Sequence, residues 1–142
     1  MKCEEDIENL IPQRDPIRMV DQLIEVDDEK AITCLLVKAD NYFMDEDGAM
    51  AEVGLVEHIA QSASAFAGYC ALLEGASTPP IGYIGEVKNF HCYRRPKEGE
   101  ELRTTITMGA ELAGVTTLRG ETRIGNELVA DTRMKIFVEK EN

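Results

Sequence analysis

The chain has 142 residues, 44% hydrophobic and 30% charged, which indicates one globular domain over residues 1–142 and excludes a disordered or fibrous protein. A formal net charge of −12 argues against nucleic acid or an anionic membrane surface as a partner, because either would require a basic face. No apolar run reaches the ~20 residues of a membrane span, the acidic N-terminus does not resemble a signal peptide, and the four cysteines are widely separated. We therefore expect a cytoplasmic protein with reduced thiols and no metal site.

The first third of the chain predicts a short helix and then a β-hairpin. Residues 4–10 can form the helix, which Pro12 and Pro16 bring to an end. Residues 19–27 alternate imperfectly between apolar and polar, and residues 31–37 are rich in β-formers, so the turn over 27–30 joins two strands. Residues 39–52 are polar and irregular, which predicts an exposed loop.

One long helix is predicted over residues 53–73. This segment lacks proline, is rich in alanine, and is followed by Gly75 as a stop signal. Apolar or small residues occupy almost every side of it, so we expect a helix that is buried nearly all round.

The remaining segments predict strands that wrap this helix. After a linker at 78–80, residues 81–90 can be extended, residues 102–108 alternate, and residues 116–124 pair with 128–138 across Gly125-Asn126. In the last strand, alternation places positions 130, 132, 134, 136 and 138 on one face. The pattern predicts an α+β domain in which a curved antiparallel sheet encloses one central helix.

The predicted helix carries one polar stripe. Glu57, Gln61 and Ser64 are spaced i, i+4 and i+7, so they share a face. A carboxyl group on a buried helix is a candidate general acid or base. The alternative is that these side chains satisfy backbone groups or face a subunit interface, and spacing does not decide between the two. Near the helix start, the amides of Gly54 and Leu55 are candidate donors to a carbonyl oxygen that gains charge.

The other candidate groups are few. Motifs for nucleotide, hydride and zinc-protease chemistry are absent, so we expect no cofactor, and His58 and His91 are the only histidines. One basic cluster consists of Lys88, Arg94, Arg95 and Lys97. Ordinary solvated charge is its simpler interpretation, and the functional alternative is a site for an acidic carrier or a phosphorylated cofactor tail.

These residues carry a resemblance that covers most of the chain. The chain resembles the β-hydroxyacyl-acyl carrier protein dehydratases of hotdog fold, most closely the divergent branch found with aryl polyene pathways. The matching motifs are Leu10-Ile11-Pro12-Gln13-Arg14-Asp15-Pro16, Met19-Val20-Asp21, Glu57-xxx-Gln61, Val87-xx-Phe90, Arg95-Pro96 and Gly99-Glu100.

The resemblance implies a hotdog fold, a dimer or dimer-based assembly with an acyl tunnel between subunits, and a substrate carried as an acyl carrier protein or coenzyme A thioester. It implies that Glu57 matches the glutamate with which family members dehydrate the substrate. Their second catalytic group is a histidine in a loop, and the corresponding loop here, residues 41–48, has no histidine. His58 points about 100° away from Glu57 on a helix, so a base from the partner chain, His58 or His91, is expected instead.

The function expected on this basis is dehydration of a 3-hydroxyacyl thioester in fatty acid or polyene-type lipid synthesis. Glu57 would act as general acid, Gln61 would orient it, and Gly54 would hold the thioester oxygen. Two alternatives stay open: an acyl thioesterase, and a non-catalytic acyl-binding partner subunit.

Overall fold

The computed structural model describes residues 1–78 and 81–139, with the backbone alone at 81–83, 138 and 139. The linker expected at Pro79-Pro80 and the inward side chain expected at Val138 lie outside this description. Six strands and one long helix are found in the described part of the chain: β1 (Gln22–Val26), β2 (Lys30–Leu36), α1 (Glu52–Leu73), β3 (Ile81–Cys92), β4 (Glu101–Leu112), β5 (Val115–Ile124) and β6 (Glu127–Glu139).

The six strands form one sheet in the order β1-β2-β4-β5-β6-β3, and every neighbouring pair is antiparallel. Helix α1 contacts all six strands. Six flat strands would extend over about 24 Å, roughly twice the diameter of a helix, so the sheet must curl around α1 to reach it from every strand. The predicted architecture, with both hairpins, is confirmed.

The central part of α1 is buried on every side, as its composition predicts. Each residue from 58 to 66 is buried, and only the two ends of the helix reach solvent. Gly75, in a left-handed conformation (φ +97°), follows the helix and donates its N–H to Leu72 O (3.0 Å). On β6, the alternating side chains of Ala130, Thr132, Met134 and Ile136 are buried against the core.

Two local expectations are corrected. The N-terminal helix is a single 3-10 turn, Ile7–Asn9, which is shorter than the predicted helix over 4–10. The loop over 39–52 is not exposed throughout, because Ala49 and Met50 are buried. Short β-bridges connect Met44 to Met50 and Ala49 to Lys97 and draw this part of the loop onto the domain.

A segment that we call the proline segment, residues 10–19, lies against the helix. Leu10, Ile11 and Met19 within it have no exposed surface. Its approach to α1 is close, because a Cβ atom on Gly68 would overlap the carbonyl oxygen of Leu10. The absence of a side chain at Gly68 is therefore what lets the proline segment reach the face of the helix that carries the polar stripe.

The two edges of the sheet differ. The N-terminal residues cover the β1 edge, where Cys3 N–H donates to Ile24 O (2.9 Å) and Val26 N–H donates to Met1 O (3.0 Å). On the opposite side, β3 pairs with β6 alone among the described strands. No described helix is long and apolar enough to cross a bilayer.

Candidate active site

A cavity of about 220 Å³ opens beside the polar stripe of α1. Its wall combines residues from the helix, the proline segment and the inner face of the sheet: Gln13, Glu57, Ala60, Gln61, Ser64, Ile84 and Ile136. Glu57, Gln61 and Ser64 therefore share one cavity wall, as their spacing predicts. The other lining groups are mostly apolar, which suits a ligand with one polar end and a hydrocarbon chain.

Gln61 is fixed by three hydrogen bonds. Its Oε1 accepts from the backbone N–H of Met19 (2.6 Å), which defines the orientation of the amide. Its Nε2 must then face the other way, where it donates to Ile17 O (3.0 Å) and to Glu57 Oε1 (2.8 Å). Gln61 thus joins the proline segment to the helix and holds one oxygen of the Glu57 carboxyl group.

Glu57 is the one titratable residue in the described lining of the cavity. It is half-buried on the second turn of α1, and its Oε1 is held by Gln61. No hydrogen bond or ion pair to its second oxygen, Oε2, is found among the described residues. The site therefore has a positioned carboxyl group with one oxygen available for proton transfer.

His58 is placed in the core, away from this cavity. Its Nδ1 lies 2.6 Å from Met19 O and its Nε2 lies 2.7 Å from Thr104 Oγ1. Because a carbonyl oxygen only accepts, Nδ1 carries the proton and Nε2 accepts from the threonine. Burial lowers the pKa of His58 to about 4. Both ring nitrogens are occupied within the chain, so the expectation that His58 takes a substrate proton is corrected: its contacts are structural.

Gly54 and Leu55 are also used for packing. The N–H of Gly54 donates to Ala51 O (2.9 Å), and a Cβ atom there would lie 2.7 Å from Phe43 Cβ. Leu55 has no exposed surface and packs in the core cluster that contains Met50. The predicted oxyanion donor at Gly54 is therefore not a free amide in this chain, and its small size serves the contact between helix and loop.

The two arginines of the predicted basic cluster are paired with acidic side chains of the same chain. Arg94 donates to both oxygens of Glu100 (2.8 and 2.9 Å) and of Glu127 (3.0 and 3.1 Å), and these contacts raise its pKa. Arg95 donates to the carboxylates of Asp45 and Asp47 (both 2.7 Å).

Lys88 is also outside the cavity. It pairs in register with exposed Arg133 on the outer face of the sheet, and its Nζ lies 3.3 Å from Glu86 Oε1. Arg94 and Arg95 are thus committed to acids of the same chain, whereas the exposed side chain of Lys97 has no ion pair among the described residues.

Comparison of the sequence with protein-family models identifies the family of this chain. The sequence model described as ApeP-like, ApeP dehydratase, matches residues 5–142. The chain belongs to the ApeP-like dehydratase family. No curated protein sequence matches it.

Solved structures show the same fold as this chain. The dehydratase heterocomplex ApeI:P from Xenorhabdus doucetiae superposes with a TM-score of 0.90 at 15% identity, covering 98% of this chain and 94% of that chain. The Escherichia coli PaaI protein from the phenylacetic acid degradation operon gives 0.66 at 14% identity, covering 82% and 81%. A hypothetical thioesterase with coenzyme A from Streptococcus pneumoniae gives 0.64 at 11% identity, covering 85% and 87%. The predicted hotdog fold is confirmed.

The ApeP-like chain has no second acid or base in the described lining of its cavity. His91, the other histidine, lies on β3 with 58% of its side chain exposed, where Nδ1 is 3.0 Å from Asp131 Oδ1. Asp131 lies between buried Ala130 and Thr132 on β6, so this pair is on the outer face of the sheet. His91 therefore does not face the Glu57 cavity of its own chain.

Gln13 is a polar lining residue that sequence reasoning did not select as functional. It lies in the proline segment, 44 positions before Glu57, and helix periodicity carries no information about a contact of that range. The signal available in the sequence was its place between Pro12 and Arg14 in the motif that carries the family resemblance.

Proposed function

We propose that this ApeP-like protein removes water from a 3-hydroxyacyl thioester, with Glu57 as the group that transfers the proton. The observation that carries the proposal is a positioned carboxyl group, held by Gln61, at the wall of a largely apolar cavity. The polar end of the substrate would lie against Glu57 and its hydrocarbon chain against Ala60, Ile84 and Ile136. Family membership supports dehydration in particular.

The proposed elimination of water uses one general acid and one general base. The Glu57 carboxylic acid gives its proton to the β-hydroxyl oxygen, the carbon–oxygen bond breaks, and the hydroxyl leaves as water. A base removes a proton from the α-carbon, and the electron pair of that bond forms the carbon–carbon double bond of the enoyl thioester. Gln61 acts as a positioning residue, because its bond to Oε1 leaves Oε2 directed to the substrate.

We further propose that the base comes from a partner subunit paired along β3, either a second copy or a related chain. Ile84 lies on this edge strand, lines the cavity and remains 41% exposed, and Val87 on the same strand remains 38% exposed. An unpaired edge with exposed apolar side chains favours strand pairing with another chain. The ApeI:P dehydratase, which is a heterocomplex, supports an assembly of two different subunits as one form of this pairing.

The proposal is tested by replacing Glu57 with glutamine, which keeps the shape and the contact to Gln61 but carries no transferable proton. Enoyl thioester formation from a 3-hydroxyacyl-pantetheine or carrier-protein thioester is expected to fall at least about 100-fold, the usual contribution of a general acid or base. Glu52→Gln is the matched control, because Glu52 is exposed in the first turn of the same helix. Activity that survives Glu57→Gln, or that falls equally in both variants, contradicts the proposal.

One observation favours a second candidate, a non-catalytic acyl-binding subunit. The described cavity wall holds one carboxyl group and neither an imidazole nor a second carboxyl group, so half of the proposed acid–base pair is not supplied by this chain. As a non-catalytic subunit, the protein would bind the acyl thioester without converting it, both alone and in its assembled form.

A further inference from the structure

Gln13 carries a buried polar atom without a partner. Among the described residues, two buried side-chain nitrogen or oxygen atoms have no hydrogen bond, Gln13 Oε1 and Arg18 Nε. Arg18 Nε still lies 3.5 Å from Asp15 Oδ1 in an ion pair. Gln13 Oε1 has no such neighbour, and nearly every buried polar atom in a folded protein is paired, so this exception calls for an explanation.

The backbone around Gln13 is held in place. The Arg14 guanidinium donates to three backbone carbonyl oxygens, those of Ile11 (2.8 Å), Gln13 (3.0 Å) and Glu8 (2.9 Å). The next anchor is Gln61, which bonds to Ile17 and Met19 at the end of the proline segment. Gln13 thus lies at the Glu57 cavity on a backbone that hydrogen bonds hold in place, while its side-chain oxygen Oε1 has no partner among the described residues.

We propose that Gln13 Oε1 accepts the hydrogen of the substrate's β-hydroxyl group, so that Gln13 selects acyl chains that carry this hydroxyl. The inference rests on the proposed dehydratase function. Gln13 and Glu57 line the same cavity, and a hydroxyl group can donate to one residue while it accepts from the other. Oε1 is itself buried, and the terminal torsion of glutamine is soft, so rotation of the amide about this torsion turns its carbonyl end to a ligand.

This assignment gives Gln13 a positioning role. A carboxamide is neither protonated nor ionised near neutral pH, so Gln13 would take no part in the acid–base step itself. By accepting the hydroxyl hydrogen, it would direct an oxygen lone pair toward the proton of Glu57. A saturated acyl chain would leave Gln13 Oε1 unpaired and would gain nothing from it.

The test compares two non-reacting ligands of equal chain length, a 3-hydroxyacyl and a saturated acyl pantetheine amide, whose α-protons are less acidic than those of a thioester. Calorimetry gives Kd for each with the wild-type protein and with Gln13→Leu. The wild type is expected to bind the hydroxylated amide about tenfold more tightly, the ratio typical of one net hydrogen bond. In Gln13→Leu this preference is expected to decrease several-fold, with any remainder due to Glu57, while the saturated amide binds as before and Tm is unchanged or higher because a buried unpaired oxygen has been removed.

Gln22→Leu is the matched control, since Gln22 is exposed on β1, and it should keep the preference. If Gln13→Leu does not fold, Gln13→Met provides the same loss of the acceptor in an unbranched side chain. A Gln13 variant that keeps the hydroxyl preference, or that weakens both ligands equally, overturns the inference and leaves the proposed function standing. A wild type that neither prefers the hydroxylated amide nor converts the thioester removes both.

Discussion

The buried histidine of α1 predicts a specific acid sensitivity of the fold. His58 has no exposed surface, donates from Nδ1 to Met19 O and accepts at Nε2 from Thr104, whose Oγ1 in turn lies 2.7 Å from Thr122 Oγ1. Protonation would add a charge in the core and a second donor where Nε2 now accepts. Desolvation is the main reason why the pKa of His58 falls from 6.5 to about 4.

The sign and size of the effect follow from these two values. The unfolded chain takes up the His58 proton at a higher pH than the folded chain, so the free energy of unfolding decreases as pH falls through 6.5 and levels off below about 4. The difference between these two pKa values corresponds to roughly 3 kcal/mol when the transition is complete. At pH 5 the same relation gives a loss of about 2 kcal/mol relative to pH 7.5.

The assay is urea unfolding at pH 7.5 and at pH 5, with the wild type, His58→Gln and His91→Gln. His58→Gln is expected to be less stable at pH 7.5, because it disturbs a buried hydrogen-bond network, but to lose about 2 kcal/mol less on acidification. His91→Gln removes the exposed histidine instead; it is the matched control and should not reduce the acid sensitivity as His58→Gln does. Equal pH dependence in all three proteins would refute the assignment of His58 as a neutral core residue.

Two further predictions concern the packing of the helix and the free edge of the sheet. Gly68→Ala is expected to lower the free energy of unfolding by about 2 kcal/mol, because overlap with Leu10 O outweighs the gain in helix propensity. An unchanged midpoint of thermal or urea unfolding would contradict the close approach of the two segments. Val87→Lys is expected to reduce the assembled mass measured by light scattering, because a charge disfavours pairing at the β3 edge. Leu112→Lys, at the exposed end of β4, is the control, and an unchanged mass in both variants would place the interface elsewhere.

Local patterns in the sequence were sufficient to predict most of the fold. The alternation in β6, the Gly125-Asn126 turn and the alanine-rich run that became α1 each act over a few residues, where periodicity and turn chemistry are reliable. The same reasoning overestimated the N-terminal helix, where Pro12 closely follows a run that forms a single 3-10 turn.

The site was predictable only in part, for a physical reason. Glu57, Gln61 and Ser64 share a face because helix geometry is regular, and the structure places all three on the cavity. The fate of the basic cluster depended on contacts between distant segments, since Arg95 meets Asp47 and Arg94 meets Glu127 only after folding. Gln13 reaches the cavity by the same kind of long-range packing. The close contact at Gly68 of α1 permits it, and no periodic pattern in the sequence indicates that contact.

The most direct test of the account is to identify what the protein makes from a 3-hydroxyacyl carrier-protein thioester. Intact-mass analysis of the carrier after incubation is expected to show the loss of one water with the acyl chain still attached, and this loss should depend on Glu57. Release of a free carrier thiol with the hydroxy acid would indicate a thioesterase instead. An unchanged acyl carrier that nevertheless binds the protein, alone and in its assembled form, would contradict the dehydratase account and favour an acyl-binding subunit.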